Sequence, residues 1–238
     1  MLTLILAVAL ALFLSAIIRQ ISGFGFALLS MPLITLIAGI RIATPLVAVT
    51  ATTIGCLVAV ESWRHADRQA LGRLLATSLI GVPLGVLLFS HLDEEWVKRG
   101  LGVLLLGYSA YALLAPELPF LKDEASSAYF GFISGLLTGA FNTGGPPVVI
   151  YGALRRWPPE AFRGTLQLYF LVTSIVAMGG HALAGLWSWH MWWLYLASLP
   201  ALLLGLYLGD KLNLMIPRHR FHQIIYGLLL VTGLLFFL

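Results

Sequence analysis

The chain has 238 residues, of which 60% are hydrophobic and 10% charged, with a formal net charge of +4. So much apolar surface cannot be hidden in a soluble core, which excludes a water-soluble globular protein and indicates an integral membrane protein. Cys56 is the only cysteine, which excludes a disulfide framework and a thiolate metal cluster.

Apolar segments fall at 2–18, 26–40, 42–60, 71–90, 97–114, 127–141, 145–154, 164–184, 190–209 and 221–238. Several approach the twenty residues that a full helical crossing needs. The first lacks a basic n-region and exceeds a signal-peptide h-region, so it reads as a retained helix. The expected class is an all-α membrane protein, a helical bundle of about 8–10 segments with broken or half helices after Gly-rich motifs. There is no room for a soluble domain. A cell (inner) membrane location follows.

Two of these segments are preceded by breaks. The first spans Gln20, Ser22, Gly23, Phe24 and Gly25, with Pro32 further on. The second spans Asn142, Thr143, Gly144, Gly145, Pro146 and Pro147. Glycine and proline interrupt helices and free backbone polar groups, which lipid cannot satisfy. Broken helices therefore belong in packed protein or beside a polar cavity. A matching pair in two halves points to a transporter's binding site.

The stretch 115–125, with Pro116, Pro119, Lys122, Asp123 and Glu124, is the natural linker. It separates an N-terminal repeat, 1–114, from a C-terminal repeat, 126–238. Each has five segments in the same order: a helix, a break, a short segment and three longer helices.

Charge sets the expected orientation. The odd-numbered loops carry Arg19, Arg64, Arg68, Arg73, Lys122, Arg155, Arg156, Arg163, Lys211, Arg218 and Arg220. The even-numbered loops carry Arg41, Lys98 and Arg99. The positive-inside rule places the odd loops in the cytoplasm and both termini outside. Equivalent loops differ in charge: the third is basic while the stretch 185–189 is uncharged, and the acidic stretch 91–96 is matched by the basic 210–220. That sign flip is expected of two inverted repeats; two parallel bundles are the alternative. This basic excess is topological, and nucleic acid is excluded as a partner.

The breaks suit an anion. A helix that restarts after a Gly-rich turn presents N–H groups and a positive dipole end. Gly23, Gly25, Gly144 and Gly145 allow close approach to the backbone, and Ser22, Asn142 and Thr143 add neutral donors. Alternatively, these glycines serve helix packing. Arg163, near Thr165 and Gln167, either attracts an anion at the cytoplasmic mouth or anchors the helix at the interface. Tyr151 either caps the site or packs as an ordinary aromatic. Thr50, Thr52 and Thr53 bond to carbonyls one turn back or face a cavity. His181 lies about 27 Å along a helix from Arg163 and is expected near the outer surface, as an interfacial histidine. Trp187, Trp189, Trp192 and Trp193 suit an outer aromatic belt.

Glu61 and Asp210 lie at segment ends, and no carboxylate stands mid-segment, which argues against cation transport. His219 and His222 have no carboxylate or cysteine beside them, so no metal is expected, nor any cofactor. No nucleophile motif or metalloprotease motif is present, so catalysis is not expected.

At these residues the chain resembles the TauE/SafE family of sulfite-exporter-type permeases. The resemblance rests on Ser22-Gly23-Phe24-Gly25-Phe26-Ala27 through Pro32. It rests also on Gly135, Gly139, Thr143-Gly144-Gly145-Pro146-Pro147-Val148-Val149-Ile150-Tyr151 and Arg163-Gly164-Thr165. It implies export of sulfite or a small organosulfonate. The residues alone indicate a small-anion secondary carrier, with an anion channel or a carrier for another small anion as the alternative. A non-transporting membrane scaffold is the competing class. The expected partners are a small anionic substrate and membrane lipid, with homo-oligomerisation left open.

Overall fold

A computed structural model describes residues 1–62, 64–114, 120–213 and 218–237, without the side chains of 59–62 and 218–225. Part of the expected linker, including Pro116 and Pro119, lies outside the described residues. So do the side chains of Glu61, Arg218, His219, Arg220 and His222.

Among the described residues there are ten helices and no strand. They are α1 (Leu2–Ser22), α2 (Phe26–Ala38), α3 (Ile40–Ser62), α4 (Arg68–His91), α5 (Glu94–Leu114), α6 (Ser126–Phe141), α7 (Gly145–Leu154), α8 (Pro159–Leu183), α9 (Trp189–Asn213) and α10 (Arg218–Leu235). Each expected segment is a helix. Six of them, α1, α3, α4, α5, α8 and α9, are long and apolar enough to cross a membrane. The chain is a multi-pass membrane protein. At 13 and 10 residues, α2 and α7 extend only about 20 and 15 Å, less than the roughly 30 Å hydrocarbon core.

Several helices run past their apolar stretches. Arg19 lies in the last turn of α1 rather than in a loop, and Asp210 and Lys211 lie inside α9. Arg163 lies inside α8. Long basic side chains permit this, because their apolar stems lie along the helix while the head group seeks polar partners.

The helices form two packed units that do not coincide with the two sequence halves. One takes Met1–Leu46, Leu92–Pro116 and Trp187–Leu238; the other takes Val47–His91 and Glu117–Leu186.

In the first unit α1 packs along α9, α5 along α10, and α2 against α1. Close approach is licensed by small residues. A Cβ on Gly205 would stand 2.5 Å from the Phe13 carbonyl oxygen, and one on Gly209 2.8 Å from the Gln20 Cβ. Of the tryptophans expected to form an aromatic belt, Trp189 and Trp193, in the first turns of α9, are exposed at 75% and 52%.

In the second unit α4 packs along α6 and also meets α8, while α7 folds back on α6. Here the glycines interleave. A Cβ on Gly85 would stand 2.1 Å from the Leu136 carbonyl oxygen, and one on Gly139 2.1 Å from that of Val82. Gly81, Gly131 and Gly135 abut the opposing backbone in the same way. With little hydrophobic driving force between helices in lipid, such backbone contact is what binds them. Gly135 and Gly139 thus hold α6 to α4.

Candidate functional site at the two helix breaks

The first break is a three-residue link between α1 and α2. Gly23 ends α1 in the left-handed region (φ 81°), its N–H bonded to the Arg19 carbonyl at 2.7 Å. Phe24 follows, and then Gly25, also left-handed (φ 93°), starts α2. Both positions need glycine because a Cβ is disfavoured there. The Ser22 hydroxyl faces the Ile18 carbonyl at 2.7 Å and the Phe24 carbonyl at 2.5 Å, so its proton is spent holding the turn. Gln20 accepts from Arg19 Nη1 at 2.5 Å and donates from Nε2 to Asp210 Oδ1 at 2.6 Å. A small apolar cavity beside this break is lined by Ser22, Phe24, Gly25, Tyr108 and Tyr226 with their aliphatic neighbours.

The second break joins α6 to α7. Asn142 ends α6 in the left-handed region (φ 55°), a conformation that asparagine tolerates better than most residues. Its N–H returns to the Thr138 carbonyl at 2.8 Å. The Thr143 N–H passes over Gly139 and reaches the Leu137 carbonyl at 3.4 Å. Asn142 and Thr143 are both buried. The Thr143 hydroxyl is 1% exposed as a residue and has no hydrogen-bond partner among the described residues.

Gly144 sits where no side chain fits: a Cβ would stand 2.0 Å from Thr138 Oγ1 and 2.3 Å from the Ser134 carbonyl oxygen. Its own carbonyl accepts from Ser134 Oγ at 2.5 Å. Gly145 is different, since a Cβ there would meet only Phe170 at 3.7 Å.

Neither α2 nor α7 has a side-chain cap at its start. The first-turn N–H groups are therefore left for another acceptor. In α7, Pro146 and Pro147 remove two of those donors, leaving that of Gly145.

The remaining expected site residues lie in α7 and α8, beyond the second break in the chain. Tyr151 is buried in an aromatic cluster with Phe130 and Trp157, at 5.5 Å between ring centroids in each case. Arg163 is half-buried near the start of α8 and Gln167 lies one turn on. Thr165, between them, accepts the Asp67 N–H at 2.9 Å and so ties down the link before α4. Thr50, Thr52 and Thr53 each bond a carbonyl three or four residues back, and Thr52 also meets Ser174 at 3.2 Å.

His181 is not an interfacial side chain. It is fully buried and its Nε2 lies 2.9 Å from the Gly139 carbonyl oxygen, in the last turn of α6. Its position in the last turn of α8 would place it near a surface, but α4 and α6 cover that face: Gly180 abuts Val86 and the His181 ring lies 6.3 Å from that of Phe89.

The family model described as "Sulfite exporter TauE/SafE" matches residues 8–236. The chain is similar to the "Probable sulfite/organosulfonate exporter TauE" of Cupriavidus necator, at 26% identity over 66% of this chain and 64% of that protein. It is also similar to the "Probable inner membrane transporter protein TsaS" of Comamonas testosteroni, at 26% identity over 73% of each. The "Uncharacterized transporter SPAC750.02c" of Schizosaccharomyces pombe is 30% identical over 56% of this chain and 28% of that protein. The chain thus spans about two thirds of the two bacterial relatives and under a third of the yeast one. No solved structure matches.

Proposed function

The chain belongs to the sulfite exporter TauE/SafE family, and on that premise we propose that it is a secondary carrier exporting a small sulfur oxyanion, sulfite or an organosulfonate. The observation that carries this is the second break. There a buried Thr143 hydroxyl, without a hydrogen-bond partner among the described residues, and an uncapped helix start stand side by side. Unused donors of this kind suit a compact oxyanion. The uncapped start of α2 after Gly25 offers the equivalent group in the other half. The names of the two bacterial relatives, a probable exporter of sulfite or organosulfonate and a probable inner membrane transporter, agree.

The carrier is built from two inverted repeats, with α2 and α7 as half helices, odd loops in the cytoplasm and both termini outside. In support, the first helix of each half packs against the fourth helix of the other, α1 with α9 and α6 with α4. This reciprocal exchange is what two related halves would give. No chemistry on a substrate is needed, only its passage.

Proteoliposome flux with sulfite, thiosulfate, sulfate, alkanesulfonates and acetate tests the substrate class. Sulfite or a sulfonate should move and acetate should not. Transport should weaken in Asn142→Gly, which keeps the left-handed turn but removes the amide. Flux of acetate alone would overturn the assignment.

A further inference from the structure

We propose that Arg19 is the charged element of an anion subsite at the first break, receiving two oxygens of the exported oxyanion on its guanidinium fork. The inference rests on the carrier reading above and adds to it a cation that neutral donors alone do not supply.

Arg19 is only 9% exposed, on the buried stripe of α1 that includes Val8, Leu12, Ser15 and Ala16. It stands one turn before Gly23, whose N–H bonds the Arg19 carbonyl, so backbone break and guanidinium share the same end of the helix. Burying a full charge is costly unless it is paired. Among the described residues this guanidinium makes one hydrogen bond, to the neutral Oε1 of Gln20, and no ion pair.

The acid whose field reaches Arg19 is Asp210, and it is held off. Its carboxylate takes the Gln20 amide at 2.6 Å. The amide is thereby fixed with its oxygen toward Arg19 and its nitrogen toward Asp210. Gln20 thus acts as a spacer that keeps cation and anion from collapsing into a salt bridge. A guanidinium has five donors in a planar fork, and one is used here. The unused donors match the paired oxygens of sulfite or a sulfonate, which a point-charge ammonium would match less well.

The test compares wild type, Arg19→Gln and Arg19→Lys for sulfite half-saturation in proteoliposomes and for thermal unfolding in detergent. Arg19→Gln should raise half-saturation by roughly 10- to 100-fold, the worth of a lost charged hydrogen bond. Its unfolding temperature should stay equal or rise, because a buried charge without a contacting counter-ion has been removed. Arg19→Lys, which keeps the charge and loses the fork, should fall between. Unchanged half-saturation in Arg19→Gln would overturn the subsite while leaving the carrier intact. So would loss of transport together with a large fall in unfolding temperature, which marks a structural arginine. If wild type does not carry sulfite, the substrate assignment has failed, and the same variants judge the subsite on whichever anion wild type carries. If it carries none, the subsite falls too.

Discussion

His181 Nε2 and the Gly139 carbonyl oxygen, 2.9 Å apart, join the end of α8 to the last turn of the broken helix α6. The bond answers a specific vacancy. In an unbroken helix the Thr143 N–H would bond Gly139, but at the break it bonds Leu137 instead. The freed carbonyl is buried, and the imidazole N–H satisfies it. Because a carbonyl only accepts, Nε2 carries the hydrogen.

Removing that donor while keeping an aromatic ring should therefore strand the carbonyl. His181→Phe is expected to lose about 1–3 kcal/mol of stability, read as a fall in unfolding temperature in detergent. His181→Gln, which offers a replacement donor, should lose less. Equal stability of His181→Phe and wild type would mean that the bond contributes nothing.

Two adjacent glycines at the second break should behave oppositely. Gly144→Ala places a methyl 2.0 Å from Thr138 Oγ1 and 2.3 Å from a backbone oxygen, which cannot yield cheaply. A destabilisation of about 1–3 kcal/mol is expected. Gly145→Ala meets Phe170 at an ordinary 3.7 Å and should be stable within about 0.5 kcal/mol. Thermal unfolding of both variants, alongside sulfite flux, separates packing from transport. A stable Gly144→Ala would show that α6 shifts to admit the methyl.

The ten segments were legible because apolar runs and Gly/Pro breaks are local signals, and Gly23, Gly25 and Asn142 do sit at left-handed helix ends. The environment of Arg19 was not, because a charge after an apolar run looks like a loop, and its burial depends on α9, some 190 residues away. His181 was misplaced for a related reason: counting along α8 gives depth but not which helices cover the face. A signal for the α4–α6 contact was present in the four-residue spacing of Gly81 and Gly85 and of Gly131, Gly135 and Gly139. That spacing reports small faces without saying which two faces meet.

Orientation is testable with single cysteines. The sign flip between equivalent loops predicts that the link before α4 is cytoplasmic and the link before α9 external. In a Cys56→Ser background, an impermeant maleimide applied to intact cells should label Leu186→Cys and spare Ala66→Cys. The reverse pattern would contradict termini outside.

Export of a sulfur oxyanion is tested most directly by sulfite efflux from oriented proteoliposomes under an imposed potential. With no carboxylate mid-segment to relay protons, the driving force should be the potential itself. Each 100 mV is worth about 2.3 kcal/mol per charge, close to fifty-fold in concentration ratio for a monoanion. Loaded sulfite should leave faster when the cytoplasm-equivalent side is made negative, and the Arg19→Gln protein should lose most of that flux. Efflux that ignores the potential and follows only an imposed pH gradient, or no sulfite efflux at all, would contradict potential-driven export.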